Sequence, residues 1–187
     1  MSTLLLDYQG HPVEYGKHYY MNPYSYSHRG LAYEKYLLTH FILVQNNDQP
    51  TSSSGQLIKF NDDFGSSTDK YVKLNSPISI TAVSPPEGED QNFFTYSDSP
   101  LASGIKLTGL PGVPHLPNTL QSWTPESLPQ DIPGLENASD LSNFFGFKND
   151  FSKGYLSIPF APDKKLWLDA STKTIAKETL WRLIPKQ

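Results

Sequence analysis

Apolar residues in this chain alternate with polar ones or gather in short runs. No long stretch keeps the 3.6-residue period of an amphipathic helix. Residues 3–7 read as a strand that ends in a turn at Gln9-Gly10, and residues 17–21 read as the next strand. Phe41-Ile42-Leu43-Val44 is a continuous apolar run of the length expected for a buried strand. Further strands are predicted at 56–60, 71–74 and 78–83, then at 144–148, 155–160, 165–169 and 180–184. Three long polar loops separate them: 46–54 with Pro50 and Ser52-Ser53-Ser54, 61–70, and the proline-rich 111–133. Residues 21–36 are dense in tyrosine and carry His28 and Arg29. They read as an extended loop whose rings cover the core, although aromatic and Arg enrichment also marks protein interfaces. Apolar runs ending at Val44, near Trp123 and at Leu183 recur at similar intervals, which is compatible with three pseudo-repeats of four strands.

Composition strengthens the all-β reading. The 16 prolines and 12 glycines are scattered along the whole length, which breaks helices and favours many short strands. At 187 residues the chain suits one domain spanning 1–187. It has no cysteine, so disulfides, thiolate metal sites and Cys nucleophiles are excluded. Packing must therefore hold the fold, which is feasible at this size. The compartment is not fixed by cysteine usage.

Charge removes other classes. The net charge is −4 and Lys and Arg form no cluster, so no nucleic-acid partner is expected. No segment approaches the roughly 18–20 apolar residues of a membrane span. Leu4-Leu5-Leu6 is too short for the apolar region of a signal peptide. The five histidines (His11, His18, His28, His40 and His115) show no metal-ligand spacing. There is no Gly-x-Ser-x-Gly elbow and no phosphate-binding glycine loop. Neither a cofactor, a metal nor catalysis is expected. Asn137-Ala138-Ser139 matches a glycosylation acceptor, relevant if the chain is secreted from a eukaryote.

The segment Leu5-Leu6-Asp7-Tyr8-Gln9-Gly10-His11-Pro12-Val13-Glu14-Tyr15-Gly16-Lys17-His18-Tyr19-Tyr20 is the most specific feature. Asp7 and Gly10 suit a tight reversal, Pro12 fixes its exit, and Gly16 permits a second bend before the tyrosine pair. The segment resembles the opening of Kunitz soybean-trypsin-inhibitor-like proteins. Shorter similarities follow in the same order at Gly55–Phe60, Pro77–Ile80, Phe144–Lys148, Gly154–Ile158, Leu166–Asp169 and Trp181–Ile184, whereas 84–140 matches poorly. The resemblance implies a β-trefoil of about twelve strands in three pseudo-repeats. It also implies a monomer, secretion, and a binding role toward a protease, most often a serine protease. The chain departs from the family twice. It lacks the usual disulfides, and Tyr15 stands where well-known members place an asparagine that braces the reactive loop.

A substrate-like inhibitor needs an exposed loop already held in its bound shape, with one side chain filling the specificity pocket. By position the resemblance puts that loop at 61–71. Lys70 suits a trypsin-like pocket, which presents a carboxylate. Tyr71 or Phe64 suits a chymotrypsin-like one. Counting back from Pro77 without gaps gives Thr68 instead. The alternative is a sugar- or protein-binding trefoil of a toxin or defence system. Trp167, two residues before Asp169, would then supply a stacking face beside a hydrogen-bonding carboxylate, and the partner would be a glycan. Core packing competes with that role, since tryptophans in alternating strands are more often buried.

Overall fold

The computed structural model describes residues 3–62, 69–86, 92–108, 119–159 and 165–187. Among them the chain forms thirteen strands. They are β1 (Tyr19–Pro23), β2 (Leu31–Tyr36), β3 (Thr39–Val44), β4 (Ile58–Asn61), β5 (Ser79–Ala82), β6 (Phe93–Ser99), β7 (Ala102–Thr108), β8 (Trp123–Glu126), β9 (Gly146–Asn149), β10 (Tyr155–Ser157), β11 (Leu166–Trp167), β12 (Asp169–Thr172) and β13 (Trp181–Pro185). Leu168 alone separates β11 from β12, so the set is twelve strands with the eleventh interrupted.

Six of these strands close on themselves. β1 pairs with β4 at Tyr19↔Ile58, and β4 pairs with β5 from Ile58↔Ala82 to Asn61↔Ser79. The β5 side meets β8 at Ile78↔Trp123, and β8 pairs with β9 from Trp123↔Asn149 to Glu126↔Gly146. Phe145↔Trp181 carries β9 to β13, and β13 returns to β1 from Pro23↔Trp181 to Tyr19↔Pro185. Closure leaves no barrel strand with a free edge. The register also repeats. Tyr19, Ile78 and Phe145 face Ile58, Trp123 and Trp181. Those three in turn face Ala82, Asn149 and Pro23 on the next strand.

The other strands form three hairpins over one end of the barrel: β2–β3, β6–β7 and β10–β12. They meet each other. β3 pairs with β7 at Phe41↔Lys106 and with β11 at Leu43↔Trp167. The Leu168 N–H donates to the Ile42 carbonyl at 2.9 Å, and the Ile105 N–H donates to the Leu168 carbonyl at 3.2 Å. A closed barrel capped by three mutually bonded hairpins is the β-trefoil arrangement expected from the sequence.

Two expectations needed revision. Residues 31–36, within the segment read as a covering loop, are strand β2 and pair with β3 along their full length. The proline-rich 111–133 contributes strand β8, with Pro125 paired to Phe147. Its residues 111–118 lie outside the described set.

The core explains why no covalent staple is needed. Trp123, Trp181, Phe60, Phe94 and Phe147 are fully buried. Phe60 and Phe147 stack with centroids 6.0 Å apart and planes 5° apart, bridging the barrel between repeats. Each buried indole contributes roughly 4–6 kcal/mol of transfer free energy. Each also keeps its polar handle satisfied: Trp123 Nε1 donates to the Phe94 carbonyl at 2.9 Å, and Trp181 Nε1 to the Leu156 carbonyl at 2.8 Å. Both bonds run from the last strand of a repeat to its second strand, tying barrel to cap.

The glycines before β2 and β10 occupy matching places. A Cβ on Gly30 would lie 1.9 Å from the Ser54 carbonyl oxygen, and one on Gly154 would lie 2.0 Å from that of Ala170. Gly154→Ala is therefore expected to cost about 3 kcal/mol, because backbone cannot yield as a side chain can. Gly134→Ala, in open space at φ +82°, should cost only about 1 kcal/mol. Urea midpoints of the two variants check the contrast.

Candidate functional site

The N-terminal turn forms as its residues dictate. The buried Asp7 carboxylate accepts the N–H groups of Gln9 at 2.9 Å and His11 at 3.0 Å, and Gly10 takes φ +84°. The turn returns the chain so that Leu5, Val13 and Val72 lie side by side. Val13 N–H donates to Leu5, Leu5 N–H to Val72, and Val72 N–H to Val13, each at 2.9 Å. The predicted strand 71–74 is thus two isolated bridges to this segment, Glu14↔Tyr71 and Leu4↔Lys73.

That contact brings the N-terminal segment to the two stems of the candidate loop. The Gly16 N–H donates to the Phe60 carbonyl at 3.0 Å, before the loop begins. The Tyr15 N–H donates to the Lys70 carbonyl at 3.1 Å, where the loop returns. Residues 14–16 therefore clamp both stems through backbone bonds. The Glu14 N–H in turn donates to the Tyr19 hydroxyl at 2.9 Å, anchoring the clamp to β1.

Side chains add charge to the clamp. Lys17 Nζ lies 2.8 Å and Lys70 Nζ 3.4 Å from the two Glu14 oxygens. The Lys17 hydrogen bond, then that of Lys70, holds the Glu14 carboxyl below its ordinary range. The Glu14 bond likewise raises the Lys70 ammonium. Lys70 is exposed, and its ammonium lies 5.2 Å from the Tyr71 ring centroid. It stands on the stem of the loop. Tyr71 is half-buried beside it. Phe64 and Thr68 lie outside the described residues.

Tyr15 packs its ring against the core. Burial, then the charges of Asp62 and Asp69, push its hydroxyl up to about 12. Asp69 is ion-paired to Lys73 at 2.5 Å. Asp62 Oδ2 is buried with no hydrogen-bond partner among the described residues. The Tyr15 side chain thus senses both stems, from the position where the asparagine was expected.

The second candidate, Trp167, lies at the hairpin cap. It is half-buried, unlike Trp123 and Trp181. Its ring meets Tyr36 and Phe41 edge-on, both with centroids at 6.4 Å, and Tyr36 meets Phe41 at 5.8 Å. These three rings, the Pro100-Leu101 turn and the first two residues of β7, Ala102 and Ser103, line an open cleft of about 300 Å³. Lys165 Nζ lies 5.6 Å from the Trp167 ring centroid and donates to Glu34. Asp169 does not line this cleft. Its carboxylate accepts the Ser171 hydroxyl at 2.5 Å, and its charge helps raise the Tyr96 hydroxyl, behind the larger effect of burial. The sequence reading did not single out Phe41 or Leu101 as part of a site. A signal existed: Leu37, Leu38 and Leu101 fill hairpin turns where polar residues are usual, and Leu38 is 94% exposed.

No protein-family model and no curated protein matches the chain by sequence. Solved structures do match. A Kunitz-type cysteine protease inhibitor from potato, PCPI-3, superposes with TM-score 0.69 at 13% identity, over 100% of this chain and 99% of its own. The fold is that of the Kunitz-type β-trefoils. The water-soluble chlorophyll protein of Brassica oleracea var. Botrytis, with chlorophyll b, shares the trefoil at TM-score 0.72 and 16% identity over 100% of both chains. The ligand-binding domain of botulinum neurotoxin serotype D, in complex with N-acetylneuraminic acid, matches at TM-score 0.68 and 15% identity. It covers 99% of this chain and 45% of its own. The trefoil framework is therefore shared by proteins with different partners.

Alkaline titration tests the environment of Tyr15. An unfolded tyrosine ionises near pH 10, and Tyr15 in the fold only near 12. Its folded value is raised, so its contribution to stability is complete below about pH 10 and is lost as pH rises toward about 12. Tyr15→Phe should make the loss of stability over that window shallower, read from urea midpoints across alkaline pH.

Proposed function

We propose that the chain is a non-catalytic binding protein that inhibits a protease through the 61–71 loop. The observation that supports this most is the clamp of residues 14–16 on both loop stems, at Phe60 and at Lys70. A loop whose ends are fixed by a rigid scaffold loses less entropy when a protease grips it, which favours a slowly dissociating complex. The clamp uses main-chain donors, so replacing the bracing asparagine by Tyr15 does not remove it. Lys70 is the candidate for the primary pocket. Entering an acidic pocket, its ammonium would exchange Glu14 for the carboxylate of the protease.

A second reading rests on the half-buried Trp167 between Tyr36 and Phe41. An open aromatic wall suits the flat face of a sugar ring, and the neurotoxin domain that shares the fold is complexed with an acidic sugar. The exposed Asn137 suits a secreted chain carrying a glycan of its own.

Inhibition assays against trypsin, chymotrypsin, subtilisin and a papain-like cysteine protease decide the first reading. Inhibition of at least one is expected, and none at micromolar protein would overturn it. Lys70→Ala should abolish inhibition of trypsin and leave that of chymotrypsin. A glycan array decides the second: binding should disappear in Trp167→Ala while the unfolding free energy from urea titration stays within about 1 kcal/mol of the parent.

A further inference from the structure

A different cleft, of about 550 Å³, opens where the first and third repeats meet. Its walls are the 3-10 turn Tyr24–Tyr26 after β1, the 3-10 turn Lys177–Thr179 before β13, and the segment leading to Phe145. Lys177, Arg182, Ser25, Ser27, Tyr24 and Phe144 line it. Arg182 comes from β13, between the buried Trp181 and Leu183, and so points away from the core.

The cleft carries two cations against one carboxylate, Asp140. Lys17, Arg29, Lys70, Lys73 and Lys165 each have a carboxylate within ion-pair distance. Among the described residues, neither Lys177 nor Arg182 forms such a pair. Arg182 spends one Nη2 bond on the Ser27 carbonyl at 3.3 Å, and its Nε is buried with no hydrogen-bond partner. A half-buried guanidinium without a counter-charge is costly, and an anion removes that cost. The same desolvation pulls the Arg182 pKa below its ordinary value.

The rest of the lining says what carries the anion. Tyr24 and Phe144 meet edge-to-face at 5.4 Å, and the Arg182 guanidinium carbon lies 5.8 Å from the Phe144 ring centroid. Cationic donors therefore sit beside an apolar ring wall. Asp140 is the remaining charge on the lining. Its carboxylate accepts the Ser142 N–H at 2.9 Å, and the Ser142 hydrogen bonds hold its pKa below the usual range. A fixed negative charge there repels a second anionic group.

We propose that this cleft binds a small organic oxyanion bearing a single carboxylate, sulfate or phosphate group. Arg182 and Lys177 hold the oxyanion, the Ser25 and Ser27 hydroxyls are available to its remaining oxygens, and the Tyr24–Phe144 pair covers its ring. Arginine supplies the directional bonds, since its planar fork matches an oxyanion, and lysine supplies a mobile charge.

Isothermal titration of the whole chain with phenyl phosphate, inorganic phosphate and neutral phenyl glucoside tests this. Phenyl phosphate should bind saturably, inorganic phosphate more weakly, and the glucoside not at all. Arg182→Gln should abolish binding. Lys177→Gln, in an exposed turn and safe for folding, should weaken it about tenfold. Phe144→Ala should reduce phenyl phosphate to the affinity of inorganic phosphate. Absence of saturable binding at millimolar ligand overturns the proposal. So does phenyl phosphate affinity that stays within about twofold of the parent in Lys177→Gln, a change too small for a lost charge-assisted contact.

Discussion

Closure of the six-stranded barrel is the constraint on which everything else in this molecule depends. Each barrel strand satisfies its backbone only by pairing on both sides, and three of the joints are single residue pairs, Tyr19↔Ile58, Ile78↔Trp123 and Phe145↔Trp181. The last two pass through a tryptophan. Its ring fills the interior and its N–H ties the barrel to the overlying hairpin. The indoles thus stabilise layer and joint at once. A chain without disulfides gains from placing its largest apolar groups at two of its three thinnest backbone connections. The loops and clefts are positioned by this frame: the 61–71 loop leaves β4 for β5, and the aromatic cleft lies between the hairpins that the frame brings into register.

The parts of the fold that were legible in the sequence are those whose geometry is local. Asp7, Gly10 and Pro12 make a turn that needs no distant partner, and it forms as their chemistry requires. Buried runs such as Phe41–Val44 were equally plain. Strands β6 and β7 were not. No strand was predicted there, and Ser97, Asp98, Ser99 and Pro100 are residues that favour turns, yet the hairpin pairs from Phe93↔Thr108 to Ser99↔Ala102. Only the neighbouring hairpins justify polar residues in these half-exposed strands. The pseudo-repeat was visible but offset: Val44 was grouped with Trp123 and Leu183, whereas the true counterpart of Trp123 and Trp181 is Ile58. An aliphatic residue in the first repeat hides that symmetry.

The candidate sites follow the same rule. Tyr15 looked like the loss of a brace, because the sequence shows a side chain and not a main-chain hydrogen bond. The geometry supplies the clamp from N–H groups that any residue at 15 and 16 carries. Trp167 was visible as an aromatic, but its companions Tyr36, Phe41 and Leu101 come from three other strands or turns and no spacing links them. The pairing of Trp167 with Asp169 assumed an unbroken strand. Leu168 interrupts it, bonded to two hairpins at once, and the two neighbours serve different surroundings.

The pairing of β1 with β13 has a consequence for how the molecule is made. On a ribosome β1 emerges early and meets β4 soon afterwards, which covers one of its edges. Its other edge must wait for β13. At about 5–20 residues per second that interval is on the order of ten seconds, during which Tyr19–Pro23 has unsatisfied donors and acceptors along one side. The strand is only five residues long, and the turn Tyr24–Tyr26 ends it immediately. The nascent chain therefore presents a short edge to its neighbours while it awaits β13.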